Sequence, residues 1–117
     1  MTSHETESCL FCKIAGKKIP SAIVYEDDNF LAFKDIAPRA PTHILFIPKR
    51  HVPSLADWPA EASEELGKLF HTAATFARSQ NLGDFRMTVN SGPGAGQSVF
   101  HLHVHVMAGR PFSWPPG

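Results

Sequence analysis

At 117 residues the chain has the size of one domain, long enough to bury a core and too short for two. Its 11 basic residues are balanced by 11 acidic ones and scattered, which argues against an electrostatic grip on nucleic acid or on a membrane surface. No apolar run approaches a membrane span and the first eight residues hold no apolar signal core, so the chain is expected to work in the cytoplasm.

Residues 1–8 are polar and expected to be frayed, ahead of a single domain over 9–117. Cys9 and Cys12, the only cysteines, form a Cys-x-x-Cys pair in a segment made apolar by Leu10, Phe11 and Ile14, which reads as a short helix. In an intracellular chain such a pair reads as metal-binding or redox-active before it reads as a disulfide, and the plainest reading is two thiols buried against the core. No thioredoxin-like βαβ context supports redox chemistry, whereas two histidines would complete a tetrahedral zinc set. Residues 21–26 read as a strand, 27–29 as a turn and 30–34 as the returning strand of a hairpin. Asp35 follows, where a carboxylate can accept two hydrogen bonds from a ribose diol or simply cap the turn at 36–38. Residues 42–48 are the third strand, opened by His43 and followed by Lys49, Arg50 and His51.

From 59 to 80 the period changes. Leu66, Leu69, Phe70, Ala73, Phe76 and Ala77 recur at the spacing of one helix face, with Glu61, Glu64 and Glu65 near the start and Arg78 near the end. His71 lies off that stripe and reads as a surface residue. Residues 84–90 alternate as the fourth strand, with Phe85, Met87 and Val89 on one face. The order of elements predicts an α+β fold, an antiparallel sheet with helices on one side. The tail 108–117 is proline-rich and cannot continue the sheet, and its Trp114 is expected to pack on something, such as a second subunit.

Between the fourth strand and the tail lies the densest chemistry. The loop 90–98 is rich in glycine with small polar residues, so its backbone can approach a ligand closely and its N–H groups can form an anion-binding concavity. Residues 98–107 then alternate His101, His103 and His105 with Leu102, Val104 and Val106, the pattern of a half-buried strand that presents three imidazoles on one face. Two chemistries compete for such a row: imidazoles as metal ligands, or one imidazole as a nucleophile with a second placed to protonate the leaving group. A glycine-rich turn directly ahead of the row favours a phosphate held against an imidazole.

The stretch 96–106 resembles the signature of the histidine triad (HIT) nucleotide-binding proteins, three histidines alternating with apolar residues. The resemblance extends to residues 9–14, 33–38, 41–43 and 47–51, and the ending Trp114-Pro115-Pro116-Gly117 is similar to that of the Hint branch. It implies a HIT-like fold: a five-stranded antiparallel sheet with one long helix and a short N-terminal helix, dimerising through helix and strand. It implies a purine nucleoside 5′-phosphoramidase in which His103 attacks the α-phosphorus and His105 protonates the leaving amine. In that scheme Ser98 holds the phosphoryl oxygens and His43 supports the site as a fourth histidine. Leu10, Phe11, Ile14, Phe33 and Ile36 would line the base pocket, Asp35 would bind the ribose hydroxyls, and Asn90, Gly96 and Gln97 match further nucleotide-contacting positions. Trp114 would tune substrate choice from the partner subunit. Cys9, Cys12, His51 and His101 match the zinc ligands of members that carry the cysteine pair, a structural metal, with no cofactor required for catalysis. A binding module with weak catalysis, a dinucleoside polyphosphate hydrolase and a metalloenzyme are the competing readings.

Overall fold

The computed structural model describes residues 7–117. Of the stretch 1–8 expected to be frayed, residues 1–6 lie outside the described residues, while Glu7 and Ser8 are helical and exposed. A short helix α1 (Leu10–Ala15) leads into strands β1 (Ile23–Glu26), β2 (Phe30–Lys34) and β3 (Thr42–Pro48). A long helix α2 (Ser63–Ser79) follows, then β4 (Phe85–Thr88) and β5 (Val104–Ala108). The five strands form one antiparallel sheet in the order β1-β2-β3-β5-β4. The β1–β2 turn is closed by Asp27, whose Oδ1 accepts from the N–H groups of Asn29 (2.8 Å) and Phe30 (2.7 Å).

The helices occupy opposite faces of the sheet, which corrects the expectation that they share one side. Residues 30–33 and 43–48 are buried without interruption, so β2 and β3 must be covered on both faces. Phe30, Ala32, Ile44, Phe46, Val104 and Val106 pack with Leu69, Ala73, Phe76 and Ala77 of α2. The intervening Leu31, Phe33, Leu45 and Ile47 pack with Phe11 and Ile14 of α1 on the other face. The stripe read on α2 is the one buried, and His71 is exposed. Among the described residues no helix is long and apolar enough to cross a membrane.

A second correction concerns the histidine row. The strand expected over 98–107 is regular only from Val104 to Ala108, so His101 and His103 precede it. The ladder with β3 stops at Phe46–Val104, and upstream the chain is held by Leu102 N–H donating to the Val52 carbonyl at 2.8 Å. The alternation of faces nevertheless persists: Leu102 lies in the α2-side core, while Phe11 of α1 touches the rings of both His101 and His103.

Candidate functional site

On the α1 face two groups of histidines lie side by side. The first comprises Cys9, Cys12, His51 and His101, whose donor atoms all fall within 4.8 Å of one another. Cys9 Sγ and Cys12 Sγ lie 3.4 and 3.5 Å from His101 Nδ1, and Cys12 Sγ lies 3.3 Å from His51 Nδ1. Tetrahedral bonds of zinc length to sulfur and nitrogen would set neighbouring ligands about 3.5 Å apart. The cluster therefore matches the edges of a zinc tetrahedron. The tautomer fits too. His101 Nε2 lies 2.8 Å from the Pro48 carbonyl, which can only accept, so the proton sits on Nε2 and the Nδ1 lone pair faces the thiols. Burial depresses the His101 pKa to about 4, so this imidazole is neutral and ready to ligate. Burial, then Cys9 beside it, pushes the Cys12 thiol up to about 12, a proton that a bound metal would displace.

The second group faces a cleft of about 600 Å³ lined by Leu10, Phe11, Ile14, Phe33, Asp35, Ile36, Ser98, His103 and His105, with Leu45 and Val99 among others. His103 Nδ1 donates to the carbonyl of His101 at 2.8 Å, which leaves the lone pair on Nε2. His43 and His105 are diagonal neighbours across the β3–β5 ladder, so their rings meet, with His43 Nε2 2.9 Å from His105 Nδ1. The Arg39 N–H donates to His43 Nδ1 at 3.0 Å, so the His43 proton is on Nε2 and points at His105 Nδ1. His105 in turn carries its proton on Nε2. Burial, then the neighbouring His103 and His43, lowers the His105 pKa to about 4, and burial lowers that of His43. Asp35 Oδ2, 3.5 Å from His43 Nε2, is the nearby countercharge and works against both shifts.

Asp35, His43 and His105 also converge within 4.8 Å, yet they suit a metal poorly. The Arg39 N–H keeps the His43 proton on the nitrogen that would have to ligate. The same residue type thus stands in two settings in one small domain. A backbone carbonyl turns the His101 Nδ1 lone pair toward the thiols, and a backbone amide turns the His43 proton toward His105.

The other expected site residues divide. Ser98 stands at the cleft mouth, and Leu10 (47% exposed) and Ile36 (fully exposed) form an apolar rim that a plain core reading of these residues does not explain. Asn90, Gly96 and Gln97 are absent from the cleft lining. Gln97 is buried and braces the glycine loop: its Oε1 accepts from Gly92 N–H (2.8 Å) and its Nε2 donates to the carbonyls of Pro53 (2.6 Å) and Val99 (3.0 Å). Gly96 has φ +97°, and Asn90 Nδ2 lies 3.7 Å from where a Cβ would stand, so the loop turns where only glycine is unstrained. Trp114 is 83% exposed. The tail ahead of it is tied down by Arg110 Nε donating to the Arg39 carbonyl (2.8 Å) and by Arg86 Nη2 donating to the Ser113 carbonyl (2.9 Å). What sequence reasoning missed are main-chain groups, the Pro48 carbonyl, the Arg39 amide and the His101 carbonyl, which carry no side-chain signal.

Fold and site together define the class: a small α+β protein that presents paired imidazoles to an apolar cleft, beside a thiol–imidazole cluster. Comparison with known proteins narrows it. A family model described as the scavenger mRNA decapping enzyme C-terminal binding domain matches residues 8–112. The chain is 47% identical over 111 residues to the 14 kDa zinc-binding protein of Brassica juncea, covering 92% of this chain and 98% of that one. It is 45% identical over 111 residues to a protein named adenylylsulfatase HINT1 from Arabidopsis thaliana, covering 92% and 76%. Among solved structures, that of a HIT family hydrolase from Legionella pneumophila matches with a TM-score of 0.90 at 45% identity, over 94% of this chain and 100% of that one. The chain belongs to the histidine triad (HIT) family, and within it is similar to the Hint-like members.

Proposed function

We propose that the protein is a nucleotide-binding hydrolase, a purine nucleoside 5′-phosphoramidase that works through a nucleotidyl-His103 intermediate. One observation carries the reading: hydrogen bonds occupy Nδ1 of both cleft imidazoles, leaving Nε2 of His103 with a lone pair and Nε2 of His105 with a proton. These are the two functions that breaking a P–N bond requires.

In this reading the base lies among Leu10, Phe11, Ile14, Phe33 and Ile36, and the ribose hydroxyls bond to Asp35. Ser98 and the N–H groups of the loop that Asn90, Gly96 and Gln97 shape hold the phosphoryl oxygens, where charge develops. The negative phosphate, with Asp35 behind it, favours proton uptake by His105 as substrate enters: the proton is taken up at Nδ1, and the His43 Nε2–H turns from that nitrogen to Asp35 Oδ2, 3.5 Å away. His103 Nε2 attacks phosphorus, the P–N electron pair goes to nitrogen, and His105 gives that nitrogen its proton, so a neutral amine leaves. Water then attacks the adduct and returns a proton to His105, and the nucleoside monophosphate departs. The relative named an adenylylsulfatase supports adenylyl transfer as the shared step. Sulfate needs no proton to leave, so that substrate would make His105 far less important.

We further read Cys9, Cys12, His51 and His101 as a structural zinc site, in keeping with the zinc-binding name of the Brassica relative, with the metal tying α1 to residues 51 and 101. A homodimer through α2 and the edge strand β4, with Trp114 reaching the partner's cleft, and a cytoplasmic place of action complete the proposal. The test is a rapid-quench assay with labelled adenosine phosphoramidate beside a diadenosine polyphosphate. Wild type should trap nucleotide on His103 and prefer the phosphoramidate. His103→Ala should lose turnover by several orders of magnitude while still binding AMP. Retention of more than a few per cent of the wild-type rate would falsify the covalent role.

A further inference from the structure

The thiol–imidazole cluster and the cleft imidazole are two residues apart in sequence and bonded to each other through His101. Its side chain is held at both ends, Nε2 by the Pro48 carbonyl at 2.8 Å and Nδ1 against Cys9 and Cys12 at 3.4 and 3.5 Å. Its main-chain carbonyl accepts from His103 Nδ1 at 2.8 Å, the bond that leaves the His103 lone pair on Nε2. The peptide group that bears this carbonyl is held on its other side as well, Leu102 N–H donating to the Val52 carbonyl at 2.8 Å, and Val52 directly follows His51 of the same cluster. The carbonyl is therefore aimed by a peptide held between two residues of the cluster, His101 through its side chain and His51 through the adjoining Val52.

A second connection runs through α1. Phe11 stands between the two cysteines, and its ring meets His103 edge-on, with centroids 5.1 Å apart at 89°, and His101 at 6.0 Å. The helix is only six residues long, and Cys9 is its N-cap, accepting from Cys12 N–H at 3.4 Å. So short a helix cannot hold its own place in water. Whatever fixes Cys9 and Cys12 fixes the wall behind His103.

We propose that zinc in this cluster aims the nucleophile. His101 is a positioning residue: its metal-held side chain, together with that of His51, steadies the peptide whose carbonyl sets the His103 tautomer, so nucleotidyl transfer responds to zinc occupancy although the metal never touches substrate. The proposal rests on reading His103 as the nucleophile and the cluster as a zinc site.

The test compares zinc-loaded with chelator-stripped protein at a temperature where circular dichroism shows both folded. Histidine ring nitrogens are read by long-range proton–nitrogen NMR. Loaded protein should show His103 in the single Nδ1–H form. Stripping should give a tautomer mixture at His103, leave exposed His71 on α2 unchanged, and slow adduct formation about fivefold or more, the order expected from one neutral hydrogen bond. Re-adding zinc should restore both. If stripping unfolds the chain, exchange with cadmium, which keeps the cluster closed at a different size, should move the His103 nitrogen shifts and spare those of His71. A stripped, folded protein with an unchanged His103 tautomer and adduct rate overturns the coupling, as do cadmium-exchanged shifts that stay still. No adduct in loaded protein, or no zinc bound at all, overturns the underlying reading and this inference with it, and each is read out separately.

Discussion

In the proposed mechanism His43 reaches the chemistry only through His105, and that makes its replacement by alanine informative. The substitution removes one neutral hydrogen bond, His43 Nε2–H to His105 Nδ1 at 2.9 Å, and leaves the proton-donating ring itself in place. Such a bond is worth a net 0.5–1.5 kcal/mol, or roughly two- to twelvefold in the share of His105 rings set with Nε2 toward the leaving group before substrate brings the second proton. Removing a general acid outright costs on the order of 10²–10⁴. His43→Ala should therefore lower kcat for an amine leaving group by roughly two- to twelvefold, far short of His105→Ala. With a p-nitrophenyl ester of AMP, whose leaving group needs no proton, kcat should barely change. Parallel steady-state assays on the two substrates decide the matter. An equal loss on both, or a loss as large as that of His105→Ala, would refute the assignment of His43 as the group that orients a proton donor.

Replacing Cys9 and Cys12 together by serine should remove about one zinc per chain by elemental analysis. Since metal-binding energy is folding energy, losing even about 2 kcal/mol should lower the melting temperature by roughly 10 °C in a domain of this size. Native stability in excess chelator, with under about a tenth of an equivalent of zinc, would leave the pair as ordinary core thiols. Zinc-free protein should lose stability as pH falls. His101 and His105 titrate near 4 when folded against about 6.5 when unfolded, so below 6.5 the unfolded chain binds protons that the folded one refuses. Between pH 7 and 4 His101 alone accounts for roughly 3 kcal/mol, and a melting temperature flat over that range would contradict it. Light scattering at micromolar concentration should give twice the 12.9 kDa chain mass. Trp114→Ala should alter relative rates among leaving groups more than it alters stability, and an unchanged substrate profile would show that the ring only packs.

Much of this was legible in the residues, for identifiable reasons. The apolar alternation of Leu102, Val104 and Val106 placed the histidines on the opposite face even where no regular strand exists, because side-chain direction follows backbone extension and not ladder bonds. The α2 stripe was read correctly because the period over Leu66–Ala77 admits one buried face. The position of α1 was misread although the signal was present: Phe30-Leu31-Ala32-Phe33 is apolar at every position, which demands cover on both faces. The bracing done by Gln97 was not legible: the resemblance marks it only as a nucleotide-contacting position, and the fold reveals three main-chain groups that its amide meets. The tautomers, which decide what each imidazole can do, are set by peptide groups of Pro48, Arg39 and His101 and leave no trace in residue identity.

Consecutive residues of β5 answer to different neighbours, Val104 and Val106 to α2 and His105 to the cleft. The stretch from Leu102 to Ala108 is thus far less forgiving of a change in length than of a change in side chain. Isoleucine for Val104 asks the core to give by one methylene. A single residue inserted after His103 would carry every later side chain across the sheet, sinking an imidazole into hydrocarbon and setting a valine in the cleft. Variants of this chain that have gained or lost residues and still work should have done so in the connections, above all between β3 and α2, and never within these seven positions.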